Sequence, residues 1–137
     1  MNYSDLADEK SGFEDFLASC EHAKKVSLLA TVDGLLQWDE QTMLPAAAGD
    51  FRAEQAARLA AITHAQRTQK AQGERLEKLA ESSLATNGPE VVQATIRLLH
   101  EDFQKQSRVP EKLVEEIART SIEAQQEWVA AVEESEW

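Results

Sequence analysis

Apolar positions along the chain recur with the period of an α-helix, and none of its segments alternates with a period of two over more than a few residues. We therefore predict helices and no strands. Prolines and polar clusters interrupt the helical pattern at several points and divide it into about five helices. The predicted fold class is all-α, an antiparallel bundle or array of about five helices.

The first predicted helix follows a polar segment, residues 1–10, which we expect to be flexible. Ser11 and Glu14 have the spacing of a capping box, so the helix should begin at Ser11 and end near residue 42. Pro45 cannot continue a helix, so the chain should turn at about residues 43–48. The apolar residues of this helix fall roughly on one stripe: Phe13, Phe16, Leu17, Cys20, Leu28, Val32, Leu35 and Leu36.

The later helices follow from the same pattern. The second should begin near Gly49-Asp50, with these residues facing inward: Phe51, Gln55, Leu59 and Ile62. A third, more polar segment carries Leu76 and Leu79 and precedes a break at residues 85–89. The fourth helix has an amphipathic spacing of four, three and four at Val92, Ile96, Leu99 and Phe103. The fifth begins at Pro110, and one side of it is lined by Leu113, Ile117, Ala124, Trp128 and Val132.

Charge and composition narrow the function classes. The chain has 14 basic and 25 acidic side chains, a net charge of −11, which would repel a phosphate backbone and argues against a nucleic-acid partner. The single cysteine, Cys20, excludes an internal disulfide and favours a reducing, cytoplasmic location. The N-terminus lacks the pattern of a signal peptide, and no apolar run approaches the length that spans a membrane.

Residues with the chemistry of a catalytic site do not converge in the sequence. The three histidines are far apart, and Gln104 stands where a zinc-binding helix that begins at His100-Glu101 would need its second imidazole. Cys20 and His22 are two residues apart and would point about 200° away from each other on a helix. We therefore predict no catalytic residue and no metal ligand in this chain, and we expect the histidines to be exposed or hydrogen-bonded on helices.

The most specific segment lies at the predicted corner between the first two helices. It has the form Trp38-Asp39-x-x-Thr42-Met43-x-Pro45 and is followed by Arg52-Ala53-Glu54-Gln55, Leu59 and His64. Asp39 would lie near the C-terminal end of a helix, where a negative charge opposes the helix dipole and requires a cation or backbone donors. We predict that Arg52 pairs with Asp39 and that Trp38 seals the core beneath the corner. The alternative is a helix hairpin that is stabilised by packing alone.

This segment closely resembles the N-terminal region of the carboxypeptidase Taq family of metallocarboxypeptidases. A second string, Arg108-Val109-Pro110-Glu111-Lys112-Leu113-Val114-Glu115-Glu116 with Ala118-Arg119, Ala124 and Trp128 after it, resembles the next helix of that family. The likeness covers about residues 10–137. The following residues carry the first motif and are expected to be structural: Trp38, Asp39, Thr42, Met43, Pro45, Arg52, Glu54 and Gln55.

The resemblance implies a mostly helical peptidase that removes C-terminal residues from peptides. It also implies a divalent metal, normally zinc, held by two histidines of a His-Glu-x-x-His helix and by a downstream glutamate. None of these ligands matches a residue of this chain, which lacks the His-Glu-x-x-His motif. The resemblance therefore indicates that the cofactor belongs to the full-length parent and that residues 11–137 are its helical N-terminal region.

We accordingly expect an N-terminal fragment that is inactive alone and serves as scaffold or as a wall of the substrate groove. Its expected partners are the rest of the parent polypeptide, a peptide substrate in the intact enzyme and, as a further possibility, a second copy in a homodimer. The abrupt ending at Trp137, without a closing Gly or Pro, agrees with a fragment. The alternative is a free-standing helical interaction module, which should bury its own apolar stripes, whereas a fragment should leave apolar surface exposed.

Overall fold

The computed structural model describes the backbone of residues 3–135 and the side chains of residues 10–135. This part of the chain contains no strand, and the prediction of an all-α fold is confirmed. A 3₁₀ turn, Ala46–Ala48, lies between the first two helices. The six helices are α1 (Tyr3–Thr42), α2 (Gly49–Arg67), α3 (Lys70–Ala80), α4 (Ser83–Asn87), α5 (Glu90–Ser107) and α6 (Glu111–Glu134).

The prolines set helix boundaries as predicted, but the start of α1 differs. Pro89 and Pro110 occupy the N-cap positions of α5 and α6. Ser11 lies inside α1, so the predicted capping box is wrong, and its hydroxyl instead accepts a hydrogen bond from Lys78 Nζ at 3.4 Å. The backbone is helical from Tyr3, within the segment predicted to be flexible, and that flexibility stays a prediction. Trp137 lies outside the described residues.

The chain divides into two compact units, which we describe separately. The first unit contains the described residues up to Ser27 and the segment Gln66–Arg108. The second contains Leu28–Ala65 and the described residues from Val109 onward. Residues of α1 therefore belong to both units.

The core of the first unit forms between α3 and α5. Leu76 and Leu79 of α3 pack with Val92 and Ile96 of α5, and each is less than a tenth exposed. The sequence predicts an apolar face on α5 and two leucines on α3, and the structure shows that they pack together. Partly buried apolar side chains surround the cluster: Phe16, Leu84, Ala85, Leu99 and Phe103. Burial of these apolar groups is the main stabilising contribution in this unit.

Polar contacts attach α1 to the rest of the first unit. Lys78 Nζ of α3 lies 2.7 Å from Asp15 Oδ2, and Arg75 Nε lies 3.8 Å from Asp15 Oδ1. His22 Nε2 lies 2.9 Å from the carbonyl oxygen of Gln66. Asp15 therefore forms ion pairs with two side chains of α3, which lie on the same face because residues 75 and 78 are three positions apart on a helix.

The second unit packs around small residues of α2. The buried face of this helix carries Ala53, Ala56, Ala57 and Ala61, and Ile122 of α6 packs against the first two of them. Gly49 lies so close to the Gln126 side chain of α6 that a Cβ atom at this position would overlap the Gln126 amide. Small side chains allow the backbones of two helices to approach closely, so α2 and α6 meet through alanine and glycine.

Most large apolar side chains of the second unit are exposed, which corrects the predicted orientation of α2. On α2, the inward positions predicted at Phe51, Gln55 and Ile62 are wrong, because all three side chains are exposed and the alanines face inward. Exposed apolar side chains also lie on the α1 and α6 parts of this unit: Leu28, Val32, Leu35, Leu113, Ile117, Trp128 and Val132. Helical periodicity locates an apolar stripe, but it does not decide between that stripe and a neighbouring stripe of small residues.

Among the described helices, none combines the length and the apolar character that crossing a bilayer requires.

Two glycines in helices should respond to alanine with opposite signs. A Cβ at Gly34 meets no atom within 4 Å, whereas a Cβ at Gly73 would overlap the Phe103 ring. Gly34→Ala should raise the free energy of unfolding by roughly 0.5–1 kcal/mol, because alanine loses less backbone entropy on folding. Gly73→Ala should lower it by about 1–3 kcal/mol through overpacking. Urea unfolding followed by circular dichroism measures both, and a stabilising Gly73→Ala would contradict the α3–α5 packing.

Candidate functional site

The motif segment forms the corner between α1 and α2. The backbone amides of Met43 and Leu44 both donate to the carbonyl oxygen of Asp39, at 2.8 and 2.9 Å. The Thr42 hydroxyl donates to the carbonyl oxygen of Trp38 at 2.7 Å. Pro45 ends the helical ladder because it has no N–H, and its own carbonyl accepts the first bond of the 3₁₀ turn. These bonds satisfy carbonyl groups that the end of a helix would otherwise leave without partners.

Arg52 holds the corner together. Its Nη2 lies 2.5 Å from Asp39 Oδ2, its Nη1 donates to the carbonyl oxygen of Leu36 at 2.6 Å, and its Nε donates to Gln55 Oε1 at 3.1 Å. The Arg52 residue is 8% exposed, so this guanidinium is largely withdrawn from water. The predicted Asp39–Arg52 pair is present, and the same cation also contacts a carbonyl near the negative end of the α1 dipole.

Glu40 adds a carboxylate to the corner that the sequence did not single out. Its Oε1 atom is buried and has no hydrogen-bond partner. Burial raises the pKa of the Glu40 carboxyl, and the positive charge of Arg52 acts in the opposite direction. Arg52 is already bonded to Asp39, Leu36 and Gln55, so Glu40 carries a desolvated charge without a hydrogen bond of its own at that atom.

A second ion pair joins the two strings that carry the family resemblance. Arg119 Nε of α6 lies 2.8 Å from Glu54 Oε1 of α2. The hydrogen bond and charge of Arg119 lower the pKa of Glu54, and the same two effects of Glu54 raise the pKa of Arg119. The residues are 65 positions apart, so only the presence of both in the family strings could have suggested their pairing.

The other motif residues lie on the surface. Trp38 is 62% exposed, so the prediction that it seals the core beneath the corner is wrong. Met43 is 70% exposed, and Thr42, Pro45 and Gln55 are exposed as well. The motif thus divides into a partly buried electrostatic contact, Asp39–Arg52, and a set of outward side chains. A structural role for the whole motif stays a prediction.

The described residues do not fit a metal site. Nowhere among them do three or more histidine, cysteine, aspartate or glutamate side chains gather closely enough to hold a metal ion. His22 contacts the Gln66 carbonyl, and His100 Nε2 lies 3.3 Å from Gln104 Nε2. Burial raises the pKa of the Cys20 thiol, which makes a thiolate nucleophile less accessible. We therefore derive no metal-dependent or nucleophilic step from these side chains.

The first unit contains a separate open groove of about 490 Å³ between α3, α4 and α5. None of the motif residues lines it. Its polar side chains are Glu90, Gln93, Arg97 and His100. The groove carries both signs of charge over a floor of small apolar residues and shows no convergent catalytic set.

Comparison with known proteins defines the class. Residues 18–137 match the family described as carboxypeptidase Taq (M32) metallopeptidase, and the chain belongs to this family. Among curated proteins, the chain is similar to thermostable carboxypeptidase 1 of Thermus thermophilus, with 30% identity over 117 residues. The match covers 85% of this chain but only 23% of that relative. No solved structure matches the chain.

The Asp39–Arg52 pair should be energetically coupled. In a double-mutant cycle with Asp39→Asn and Arg52→Gln, we expect a coupling energy of about 1–2 kcal/mol, because a charged hydrogen bond with one nearly buried partner is lost in either single variant. Chemical unfolding of the four proteins measures this. The matched control is Lys70→Gln with Glu74→Gln, a pair of exposed side chains 3.5 Å apart, which should couple by no more than about 0.5 kcal/mol. Simple additivity at Asp39 and Arg52 would favour packing alone.

The contribution of Glu40 to the free energy of unfolding should fall as the pH rises. A carboxyl whose pKa is higher in the folded than in the unfolded state holds its proton longer when folded, so folding is disfavoured as pH rises through and above the usual glutamate range. Glu40→Gln should therefore raise the melting temperature at pH 7 and have less effect at acidic pH. Glu54→Gln is the control of opposite sign, since the pKa of Glu54 is lowered. A Glu40→Gln variant that is less stable at pH 7 would contradict this account.

Proposed function

We propose that this chain is the N-terminal helical framework of a metal-dependent carboxypeptidase that removes C-terminal residues from peptides. Membership of the metallopeptidase family supports the parent activity. The observation that carries the framework role is the packing of the second unit, with alanines inside and large apolar side chains outside. A free-standing bundle gains most by burying its largest apolar groups, whereas a layer inside a larger helical protein requires apolar surface on its outer side as well.

The proposal assigns bond cleavage to the part of the parent outside this chain. Zinc is the metal we propose for the intact enzyme, bound by ligands that the present sequence lacks. In this account the chain is inactive alone and contributes scaffold or a wall of the substrate groove. We further propose a cytoplasmic location, which the single, half-buried Cys20 supports because it needs no oxidising compartment.

A chimera tests the framework role directly. Residues 18–137 would replace the matched segment of the Thermus thermophilus carboxypeptidase, and hydrolysis of a C-terminal residue from a test peptide would be measured with added zinc or cobalt. We expect a folded chimera with bound metal and measurable turnover, and no turnover above background for the chain alone. Robust turnover by the pure chain would contradict its proposed inactivity.

Two matched variants of the chimera test whether its activity depends on the packing of α2 against α6. A chimera with Ala53→Leu should lose stability and activity together, because a large side chain would enter the closely packed contact with Ile122. A chimera with Ala71→Leu changes an exposed alanine of α3, in the first unit, and should behave as the parent chimera. Equal loss in both variants, or a chimera that folds and binds metal without turnover, would contradict the proposal.

A further inference from the structure

The outward face of α6 carries a row of apolar residues, which Thr120 and Ser121 interrupt for one turn. Leu113, Ile117, Ala124, Trp128 and Val132 fall on one stripe of the helix, and all five side chains are exposed. The ends of this row are 19 positions apart, which corresponds to about 28 Å of helix. The buried face of α6 lies elsewhere, at Ile122, which packs against Ala53 and Ala56 of α2. We call the exposed row the outer α6 stripe.

Acidic residues follow one edge of the outer α6 stripe. Glu116, Glu123, Glu127 and Glu134 are separated by seven, four and seven positions, which places them in a row about a quarter turn from the apolar residues. All four side chains are exposed. The helix carries seven glutamates and only two basic residues, and one of these, Arg119, is paired with Glu54.

This arrangement disfavours a second copy of the chain as the occupant of the stripe. Antiparallel pairing of two α6 helices would bring one glutamate row against the other. Parallel pairing would leave each row without cations, because the only basic side chain of α6 outside the Glu54 contact is Lys112 in its first turn. Like charges across an interface cost stability, so self-pairing lacks electrostatic complementarity in either direction.

We infer that the outer α6 stripe binds an amphipathic helix that carries lysine or arginine along one edge, supplied by the remainder of the parent polypeptide. The inference rests on the proposed function. Two observations identify the occupant: the matched segment accounts for only 23% of the relative, so most of that protein lies outside the region seen here, and the glutamate row is complementary to a basic edge. The apolar row supplies binding energy, and the charges set register and orientation.

Two designed peptides test the inference on the full chain. Both are amphipathic helices about six turns long with the same leucine face; one has lysine and arginine along one edge, and the other has glutamate at the same positions. Fluorescence anisotropy of the labelled peptides measures binding. We expect the basic-edged peptide to bind at least about tenfold more tightly than the acidic-edged one at low salt, and this difference should shrink as salt is raised.

Matched variants locate the binding surface. The quadruple change E116Q/E123Q/E127Q/E134Q should reduce the difference between the peptides by about tenfold, since each exposed pair contributes a small increment. The change E77Q/E81Q/E101Q/D102N removes the same number of exposed carboxylates from the first unit and should leave binding unchanged. Ile117→Gln should weaken both peptides, while Leu98→Gln, at an exposed leucine of α5, should weaken neither. Circular dichroism verifies that each variant remains helical.

Three outcomes would overturn the inference. Equal binding of the two peptides would show that the partner helix needs no basic edge. Equal loss of the peptide difference in both quadruple variants would show that net charge alone, and not the glutamate row of α6, causes the preference. Concentration-dependent dimers that dissociate on Ile117→Gln would make a second copy the occupant. Peptide binding and chimera activity are measured independently, so an active chimera with no peptide preference would overturn this inference and leave the framework role intact.

Discussion

Close approach between α2 and its neighbours depends on the small size of the residues along one face of α2. Ala53 and Ala56 admit Ile122 of α6, and Gly49 leaves room for the Gln126 side chain. A face without long side chains buries little apolar area per residue, so this contact buries less apolar surface than the leucine and isoleucine core of the first unit. Such a contact tolerates enlargement poorly and therefore holds the helices at a defined separation.

Electrostatic contacts fix the same helix at two further points. Arg52 links the start of α2 to Asp39 and to the Leu36 carbonyl of α1, and Glu54 links it to Arg119 of α6. The first contact has one nearly buried partner, Arg52, and lies at the C-terminal end of α1, whereas the second is more exposed and contributes less. The alanines allow α2 and its neighbours to approach closely, but a face of similar small residues permits several registers. The two ion pairs favour one of these registers.

The sequence predicts features that depend on local chemistry. Prolines mark the boundaries at residues 45, 89 and 110, and the end of a helix dipole makes Arg52 a reasonable partner for Asp39. The core of the first unit also follows from spacing, because its large apolar residues have no competing stripe of small residues. In the second unit, α2 does have a stripe of alanines beside its stripe of large apolar residues. Helical periodicity alone favours Phe51 and Ile62, rather than the alanines, as the inward-facing residues. The inward face of α2 therefore could not be predicted from the sequence and is defined only by the structure.

Contacts between distant positions could not be predicted from the sequence for a different reason. The Glu54–Arg119 pair joins residues of two helices whose relative placement no local rule determines. Glu40 is the acidic neighbour of Asp39 on α1, and its raised pKa follows from burial that the sequence does not record. The capping-box spacing predicts the wrong start for α1, because a serine and a glutamate three positions apart occur inside helices as well as at their beginnings.

Exposed apolar residues on three helices of one unit have a consistent physical explanation within the family. A helix that lies between two layers needs a face for each, and α2 has alanines on one face and Phe51 and Ile62 on another. α6 repeats this arrangement with Ile122 inside and Trp128 outside. Water-exposed tryptophan, isoleucine and phenylalanine contribute little to the stability of the chain itself, and in the framework role that we propose a further layer of the parent protein covers them.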